Sequence, residues 1–420
     1  MKKVSAILSL CLLALAVRAQ DSVATLAGQA LVSGTANGGS TNAQFNDPAA
    51  IITDARGNLF VADSQNHAIR EIAPNGVVTV FAGQLGVAGI SDATGTNAQF
   101  NTPSGLAFDS VGDLYVADTA NNTIRKITPS AVVSTIAGIA GAGGFADGAA
   151  GGALFNSPLG LAVAADGTLF VADSGNHCIR RIAGGVVSTF AGKPQIWGSA
   201  DGAGTNAQFN GPLGLAFDHF GNLFVSDANN ETIREITSNG VVTTFAGLAG
   251  ADGTADGSAS TARFRSPAGL LFDPQGNLFV ADSFNQTIRE ISTNGIVSTI
   301  SGLSGNYGTN DGVNGAGRFY NPYSVALAAD GSLLVSDTYN ELLRVVIVPF
   351  KLSLQTSGGT PLTTLSWPTV IGKTYQVQFK TDVSTGWTNL GSALTATSSS
   401  LSVTDNATDL VRVYRVLRLN

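Results

Sequence analysis

The chain has 420 residues, a formal net charge of −7 and 12% charged residues, and glycine occupies 51 positions. Long helices need more Glu, Lys and Leu, so this composition favours many short strands joined by Gly, Asn and Asp turns. A phosphate backbone is bound by a stripe of Lys and Arg, and the sequence has none. We therefore expect no nucleic-acid partner.

The first residues predict an export signal over 1–19. Lys2 and Lys3 precede an apolar run from Ile7 to Val17, and Ala19 supplies a small residue at the cleavage point. Cleavage there leaves Cys178 as the one cysteine, so we expect no intrachain disulfide. The sequence thus predicts a secreted, periplasmic or cell-surface protein. We expect the mature chain to lack a transmembrane segment and to be a monomer.

One 14-residue phrase recurs six times, at 59–72, 114–127, 169–182, 223–236, 278–291 and 333–346. Successive copies are 55, 55, 54, 55 and 55 residues apart. Each copy holds one aspartate: Asp63, Asp118, Asp173, Asp227, Asp282 and Asp337. An arginine follows seven residues later: Arg70, Arg125, Arg180, Arg234, Arg289 and Arg344. Such register indicates a repeat architecture.

Each repeat predicts four strands. In the second copy these are 103–108, 114–117, 123–127 and 132–138, short runs bounded by turn-forming residues. A repeated four-stranded meander is typical of a propeller blade, so the chain predicts an all-β fold with a six-bladed β-propeller over 20–349.

The phrase of the fourth strand predicts how the ring closes. It follows the first five copies, at 77–83, 132–138, 186–192, 241–247 and 296–302. It is missing after the sixth copy, and an equivalent stands at 23–28. We therefore expect this N-terminal segment to form the outer strand of the last blade, which pairs its exposed edge.

The repeated phrase resembles the NHL-repeat family, on the stretches Asn66-His67-Ala68 and Asn176-His177-Cys178 and their equivalents over roughly 23–348. The resemblance implies a six-bladed propeller. It implies little about chemistry, because members of the family include ligand and protein binders, nucleic-acid binders and a few lyases.

Residues 350–420 leave the repeat. Strand-like runs at 362–367, 373–380 and 411–418 resemble a small fibronectin type III-like β-sandwich. The predicted core aromatics are Trp367, Tyr375, Trp387 and Tyr414. The polar stretch at 355–361 predicts a loop, and the joint between the domains is expected near Pro349.

Residues present in every repeat are expected to build the scaffold, so we interpret the six aspartates and six arginines as structural. His67, His177 and His219 cannot readily assemble a metal site, because His219 is expected on the opposite side of the disc. The Asp-Gly steps, such as Asp147-Gly148 and Asp201-Gly202, are interpreted as turns rather than calcium loops. We expect neither a metal nor another cofactor.

A hydrolase remains the alternative. Related six-bladed hydrolases, of the gluconolactonase and strictosidine-synthase kind, hold a metal at the channel mouth and would act on lactones or esters. The residues that follow the repeated proline are Ala49, Ser104, Leu159, Leu213, Ala268 and Tyr323, none of them an acid. The sequence therefore favours a binding protein and leaves enzymatic activity open.

The strongest functional signal is broken symmetry, because in a repeat protein function belongs where one repeat differs. The last two repeats concentrate aromatic and arginine residues: Phe284, Tyr307, Tyr320, Tyr323, Tyr339, Arg265 and Arg318. Such residues are enriched in binding hot spots, so they predict a patch that recognises a protein segment or a glycan. The alternatives are that they pack the longer loops together, or that the protein is a purely structural surface component.

Overall fold

The computed structural model describes residues 22–313, 315–347, 353–356, 363–369, 372–380, 386, 388–398, 400–405 and 413–418. The predicted export signal at 1–19, the joint near Pro349 and Trp387 lie outside the described residues. The described residues divide into two compact units, one ending at Ile347 and one beginning at Ser353.

The first unit consists of six antiparallel sheets, numbered here in chain order. Strand β1 (Ser22–Gly28) belongs to the sixth. Sheet one contains β2 (Gly38–Gly39), β3 (Pro48–Thr53), β4 (Leu59–Asp63), β5 (Ala68–Ile72) and β6 (Val77–Ala82). Sheet two contains β7 (Pro103–Phe108), β8 (Leu114–Asp118), β9 (Thr123–Ile127) and β10 (Val133–Ala137). Sheet three contains β11 (Gly148–Ala149), β12 (Pro158–Val163), β13 (Leu169–Asp173), β14 (Cys178–Ala183) and β15 (Val186–Ala191).

The remaining sheets repeat this order. Sheet four contains β16 (Gly202–Ala203), β17 (Pro212–Phe217), β18 (Leu223–Asp227), β19 (Thr232–Ile236) and β20 (Val241–Gly247). Sheet five contains β21 (Gly257–Ser258), β22 (Pro267–Phe272), β23 (Leu278–Asp282), β24 (Thr287–Ile291) and β25 (Ile296–Gly302). Sheet six contains β26 (Gly312–Val313), β27 (Pro322–Leu327), β28 (Leu333–Asp337) and β29 (Leu342–Ile347), together with β1.

The four strands predicted for each repeat are present, and a fifth was missed. In five of the six sheets a two-residue strand pairs with the outer strand, as Gly38 and Gly39 of β2 do with β6. In sheet two its place is taken by a single bridge between Thr94 and Val132. Two residues show no periodicity, so nothing in the sequence marks these strands.

The chain's N-terminal strand completes the sixth sheet. Strand β1 pairs antiparallel with β29, with Val23 opposite Val346 and Ala24 opposite Val345. On its other side β1 pairs with β26. This is the closure that the missing sixth copy of the fourth-strand phrase predicts, and it leaves β29 with a partner on both edges.

The inner strands contact one another in a cycle, from β3 through β7, β12, β17, β22 and β27 back to β3. The core lies between neighbouring sheets rather than within one: Ala62 and Ile69 of sheet one share a cluster with Val116 and Ile127 of sheet two. Sheets six and one are joined in the same way, since Leu343 clusters with Val61. Antiparallel sheets packed face to face in this manner are typical of a β-propeller.

Glycines allow the inner strands to approach closely at the centre. A Cβ atom on Gly105 would lie 1.9 Å from the carbonyl oxygen of Leu159, and one on Gly160 would lie 2.0 Å from that of Leu213. No side chain fits at such distances, so the glycine two residues after the proline is a packing requirement in sheets two to five; sheets one and six have Ala50 and Ser324 there.

The helical segments among the described residues are nine 3₁₀ turns of three residues each. Six follow the second strand of a sheet: Ser64–Asn66, Thr119–Asn121, Ser174–Asn176, Ala228–Asn230, Ser283–Asn285 and Thr338–Asn340. Three lie in connections: Gly95–Asn97, Ala150–Gly152 and Gly204–Asn206. Within the part of the chain that is described, no helix is long and apolar enough to cross a bilayer.

The second unit forms two small antiparallel sheets. One contains β30 (Ser353–Thr356), β31 (Thr363–Pro368) and β35 (Ser400–Asp405). The other contains β32 (Thr374–Lys380), β33 (Thr388–Asn389), β34 (Leu394–Thr395) and β36 (Val413–Arg418). Trp367 and Tyr375 are buried in the core of this unit, and Tyr414 packs against them.

One expectation for this unit is wrong. The loop predicted at 355–361 begins too early, because Gln355 and Thr356 pair with Thr364 and Thr363 as part of a strand. The strand has four residues, of which Leu354 alone is apolar, so its hydrophobic pattern is too short to distinguish it from a loop. The resemblance to fibronectin type III-like domains stays a prediction.

Candidate functional site

Every sheet in the first unit contains a buried aspartate–arginine pair, whose aspartate is the last residue of the second strand. In sheet one, Asp63 accepts hydrogen bonds from the backbone N–H of Asn46, the Asn66 amide and the Arg70 guanidinium, at 2.8, 2.9 and 2.6 Å. The side chains of Asp63 and Arg70 are fully buried. The equivalent ion pairs in the other five sheets measure 2.6–2.7 Å. Each pair ties the connection before its sheet to the second and third strands.

Each buried arginine also binds the connection on its outer side. In sheets two to six its second terminal nitrogen bonds a connection aspartate at 2.6–2.8 Å: Asp92, Asp147, Asp201, Asp256 and Asp311. Asn37 takes that place in sheet one. Four of these aspartates belong to the Asp-Gly steps, so their carboxylates hold the connections in place. That partnership, 33 residues before each arginine, was missed from the sequence.

The charges of these pairs are strongly desolvated. Burial raises the pKa of Asp63 to about 6, although the neighbouring Arg70 acts in the opposite direction. Burial likewise raises the pKa of Asp282 to about 6 against the effect of Arg289. These groups lie inside the ring, and their six-fold recurrence matches a scaffold role.

A second six-fold set joins neighbouring sheets. The fourth residue after each repeated aspartate has left-handed backbone, with φ of 55–63°. Its side chain accepts the backbone N–H of the residue that directly precedes the inner strand of the next sheet. The six acceptors are His67, Asn122, His177, Glu231, Gln286 and Glu341. The last of these bonds joins sheet six to sheet one, since a carboxylate oxygen of Glu341 accepts the N–H of Asp47 at 2.8 Å. We call this set the acceptor ring.

The acceptor ring accounts for two of the three histidines. His67 and His177 accept through Nδ1 at 3.1 Å, and burial lowers the pKa of both imidazoles. Both effects favour the neutral ring. In contrast, burial raises the pKa of Glu341 to about 7. Within the described residues, no group of three or more His, Cys, Asp or Glu side chains could hold a metal ion.

Three of the predicted site residues form one aromatic cluster on the connections of sheet six. The rings of Tyr307 and Tyr320 stack with centroids 4.6 Å apart and planes 25° apart. Tyr339 meets Tyr320 edge to face at 5.2 Å, and its backbone N–H donates to the Tyr320 carbonyl at 3.1 Å. Tyr307 is 67% exposed and Tyr339 46%. We call these three residues the tyrosine cluster.

The other predicted loop residues, Phe284, Arg265 and Arg318, make contacts outside the tyrosine cluster. Phe284 is half exposed, and among the described residues it makes no ring contact with the tyrosine cluster. The backbone N–H of Phe284 donates a hydrogen bond to the Arg265 carbonyl. The Arg265 side chain forms an exposed ion pair with Asp252 at 3.4 Å. Arg318 donates to the carbonyls of Gly315 and Gly317 at 2.6 and 2.8 Å, so its guanidinium is held by its own loop.

The expectation that Tyr323 shares the surface patch is wrong. Tyr323 follows Pro322 on the inner strand β27, and an inner strand presents its side chain to the centre of the ring rather than to the loops. Burial, reinforced by nearby Tyr339, raises the pKa of its hydroxyl to about 12. Tyr323 therefore lines the central cavity and packs against the core between sheets one and two.

A central cavity of about 370 Å³ is lined by the inner strands of all six sheets. Its lining is mainly aliphatic, with Leu106, Leu161, Leu215 and Leu270 in equivalent positions. No acidic, basic or histidine side chain contributes to this lining. The polar side chains present are Thr53, Ser104, Tyr323 and Ser324. The cavity therefore offers apolar contact and hydroxyl groups, without the carboxylates that the hydrolase alternative would use for a metal.

Comparison with known proteins agrees with this architecture. The NHL repeat family model matches residues 100–127 and 155–182. The chain carries NHL repeats. It is 30% identical over 336 residues to NHL repeat-containing protein 2 of Bos taurus, which covers 71% of this chain and 46% of that protein. The NHL-repeat chain spans less than half the length of the curated relatives it matches.

Two solved structures from Bacteroides thetaiotaomicron show the same fold. A structural genomics protein of unknown function has a TM-score of 0.61 at 20% identity, over 79% of this NHL-repeat chain and 76% of that chain. An auxiliary nutrient binding protein has a TM-score of 0.60 at 14% identity, with the same coverages. At these identities the likeness concerns the β-propeller fold alone.

Proposed function

We propose that this chain is an extracytoplasmic binding protein, a closed six-bladed propeller whose tyrosine cluster recognises a protein segment or a glycan. In this account the six sheets are the blades, residues 1–19 direct export, and the second unit is a fibronectin type III-like module.

The exposure of a rigid aromatic stack supports this proposal most directly. Tyr307 lies flat on Tyr320 while two thirds of its surface faces solvent. Tyrosine offers a large contact area at low cost in side-chain entropy, and its hydroxyl adds a polar contact. Because Tyr320 is held on both sides, by Tyr307 and Tyr339, the cluster is ordered before a ligand arrives.

The other blades argue against a packing role. At the position of Tyr320 the first four blades have Asn46, Asn101, Asn156 and Asn210, and at that of Tyr339 blades two and three have Ala120 and Gly175. The backbone hydrogen bond between these two positions is nevertheless made in every blade, at 2.9–3.1 Å. The connection thus keeps its shape without aromatic residues, and blade six has them for another reason.

The comparisons are compatible with binding. One structural neighbour is described as an auxiliary nutrient binding protein, which is a property of that protein. For this chain, the argument comes from the tyrosine cluster itself.

Binding by a Tyr307→Ala/Tyr320→Ala variant tests the proposal. A glycan array and a library of extracellular peptides would first identify a ligand, and the variant should then bind it at least about tenfold more weakly, as for a hot-spot residue. The matched control is Trp197→Ala, since Trp197 is 68% exposed in another connection. Equal affinities of the double variant and the parent would contradict the proposal.

A further inference from the structure

We propose that the central cavity is a second binding site, for a small, uncharged and mainly apolar molecule that carries one hydroxyl-like group. This site differs from the tyrosine cluster in its residues and in the size of its ligand, so it goes beyond the recognition function proposed above.

The size and lining of the cavity fit such a ligand. Small-molecule sites have volumes of about 300–1,000 Å³ and are mostly apolar with a few polar groups. An apolar cavity of about 150 Å³ holds benzene in another protein. At about 370 Å³ this cavity accommodates a single ring with a short side chain.

Tyr323 has the least committed hydroxyl in the lining, since Ser324 already accepts the Ile51 N–H at 3.4 Å. The hydroxyl of Tyr323 has no hydrogen-bond partner among the described residues, whereas Ser104 accepts from Thr119 at 2.8 Å and Thr53 donates to the Leu327 carbonyl at 3.2 Å. Its raised pKa keeps the Tyr323 hydroxyl protonated at neutral pH, so it can donate and accept. A ligand hydroxyl placed there satisfies both groups.

The lining selects against charge. No side chain of opposite sign is present to compensate a carboxylate or an ammonium group. Transfer of an uncompensated ion into such surroundings is strongly unfavourable. The ligand class is therefore neutral.

The lining of the cavity differs between blades at the residue that follows the repeated proline. At the equivalent mouth position, blades three and four carry Leu159 and Leu213, whereas the blade beside Tyr323 carries Ala268. Blade five thus has a smaller residue than blades three and four at this lining position. The repeat itself supplies the substitution that would fill the space, Ala268→Leu.

Three probes that share one skeleton test the site: 2-phenylethanol, phenylacetate and 2-phenylethylamine, titrated calorimetrically into the full chain. The neutral alcohol is expected to bind saturably with one site per chain, at least about tenfold more tightly than either charged analogue. Absence of saturable binding by the alcohol, or equal affinity for the three probes, would overturn the proposal.

Variants then locate the bound alcohol. Tyr323→Phe keeps the ring and removes the hydroxyl, so affinity should fall about threefold to tenfold. Ala268→Leu should weaken binding at least about tenfold by filling the space, with the melting temperature as a check on folding. Tyr307→Ala should leave alcohol binding unchanged while it weakens the ligand of the tyrosine cluster. Unchanged affinity in Ala268→Leu, or lost affinity in Tyr307→Ala, would place the alcohol elsewhere and overturn the inference.

Discussion

The aspartate–arginine pairs and the tyrosine cluster lie at the same edge of the sheets, yet they differ in how they recur. The pair occurs in all six sheets with nearly constant geometry, 2.6–2.7 Å between the charged atoms, and is buried. The cluster occurs once and is largely exposed. In a repeat protein the recurring feature belongs to stability and the single one to function. Variants of each type should therefore change different measurements.

Removal of residues 22–28 is expected to have the largest effect. Strand β1 pairs with β29 and buries Val23 and Ala27, so its loss breaks the closure and destabilises the whole ring by on the order of 5 kcal/mol. Urea unfolding followed by circular dichroism measures this. Thr25→Ala is the control, because it removes only the exposed hydrogen bond to Asp311. A truncated chain as stable as the parent would show that the ring does not depend on closure.

Asp173→Ala should have the next largest effect. It leaves Arg180, which is fully buried, without its inner carboxylate, and loss of one partner of a buried pair costs about 3–5 kcal/mol. Asp147→Asn is the matched control, since Asn37 fills that place in sheet one, and it should cost less than about 1 kcal/mol. Comparable losses in the two variants, measured by urea unfolding, would contradict the distinction between inner and outer carboxylates.

Stability should depend on pH through the acceptor ring, in two opposite senses. Burial raises the pKa of Glu341 from 4.5 to about 7, so its contribution is complete below pH 4.5 and is lost as pH rises through about 7. Burial lowers the pKa of His67 and His177, so their contribution is complete above about pH 6.5 and is lost as pH falls below it.

Glu341→Gln isolates the first of these effects, since Gln286 occupies the equivalent place in blade five. Allowing for partial solvent screening of Glu341, the variant should be more stable than the parent by roughly 1 kcal/mol at pH 8 and equal to it at pH 4. Thermal melts at both pH values measure the difference. A stability gain confined to pH 4 would have the wrong sign for this account.

The repeat made most of the first unit predictable, and the residues that were missed show the limit. Strand bounds followed from short β-branched runs between turn formers, and 103–108 and 123–127 agree with β7 and β9. The acceptor ring was missed because His67, Asn122 and Glu231 look unrelated by residue type, although all can accept a hydrogen bond. Its signal was positional, the fourth residue after every aspartate.

The candidate site was less predictable, because it depends on where side chains point. The spacing of Tyr307, Tyr320 and Tyr339 predicts that they share one set of connections, but their stacking depends on side-chain orientations that the sequence does not specify. Tyr323 was misplaced because only three residues separate it from the loop residue Tyr320, and the inner strand begins between them at Pro322. The central cavity is lined by residues from six separate strands, so no single repeat reveals it.

A variant that makes blade six resemble blade two tests the central claim most directly. Tyr320→Asn/Tyr339→Ala copies Asn101 and Ala120, which hold the same backbone hydrogen bond at 3.1 Å. If the cluster serves recognition, the melting temperature should stay within about 2 °C of the parent while affinity for the identified ligand falls at least about tenfold. A large drop in melting temperature with unchanged affinity would instead assign the tyrosines to packing and contradict the account.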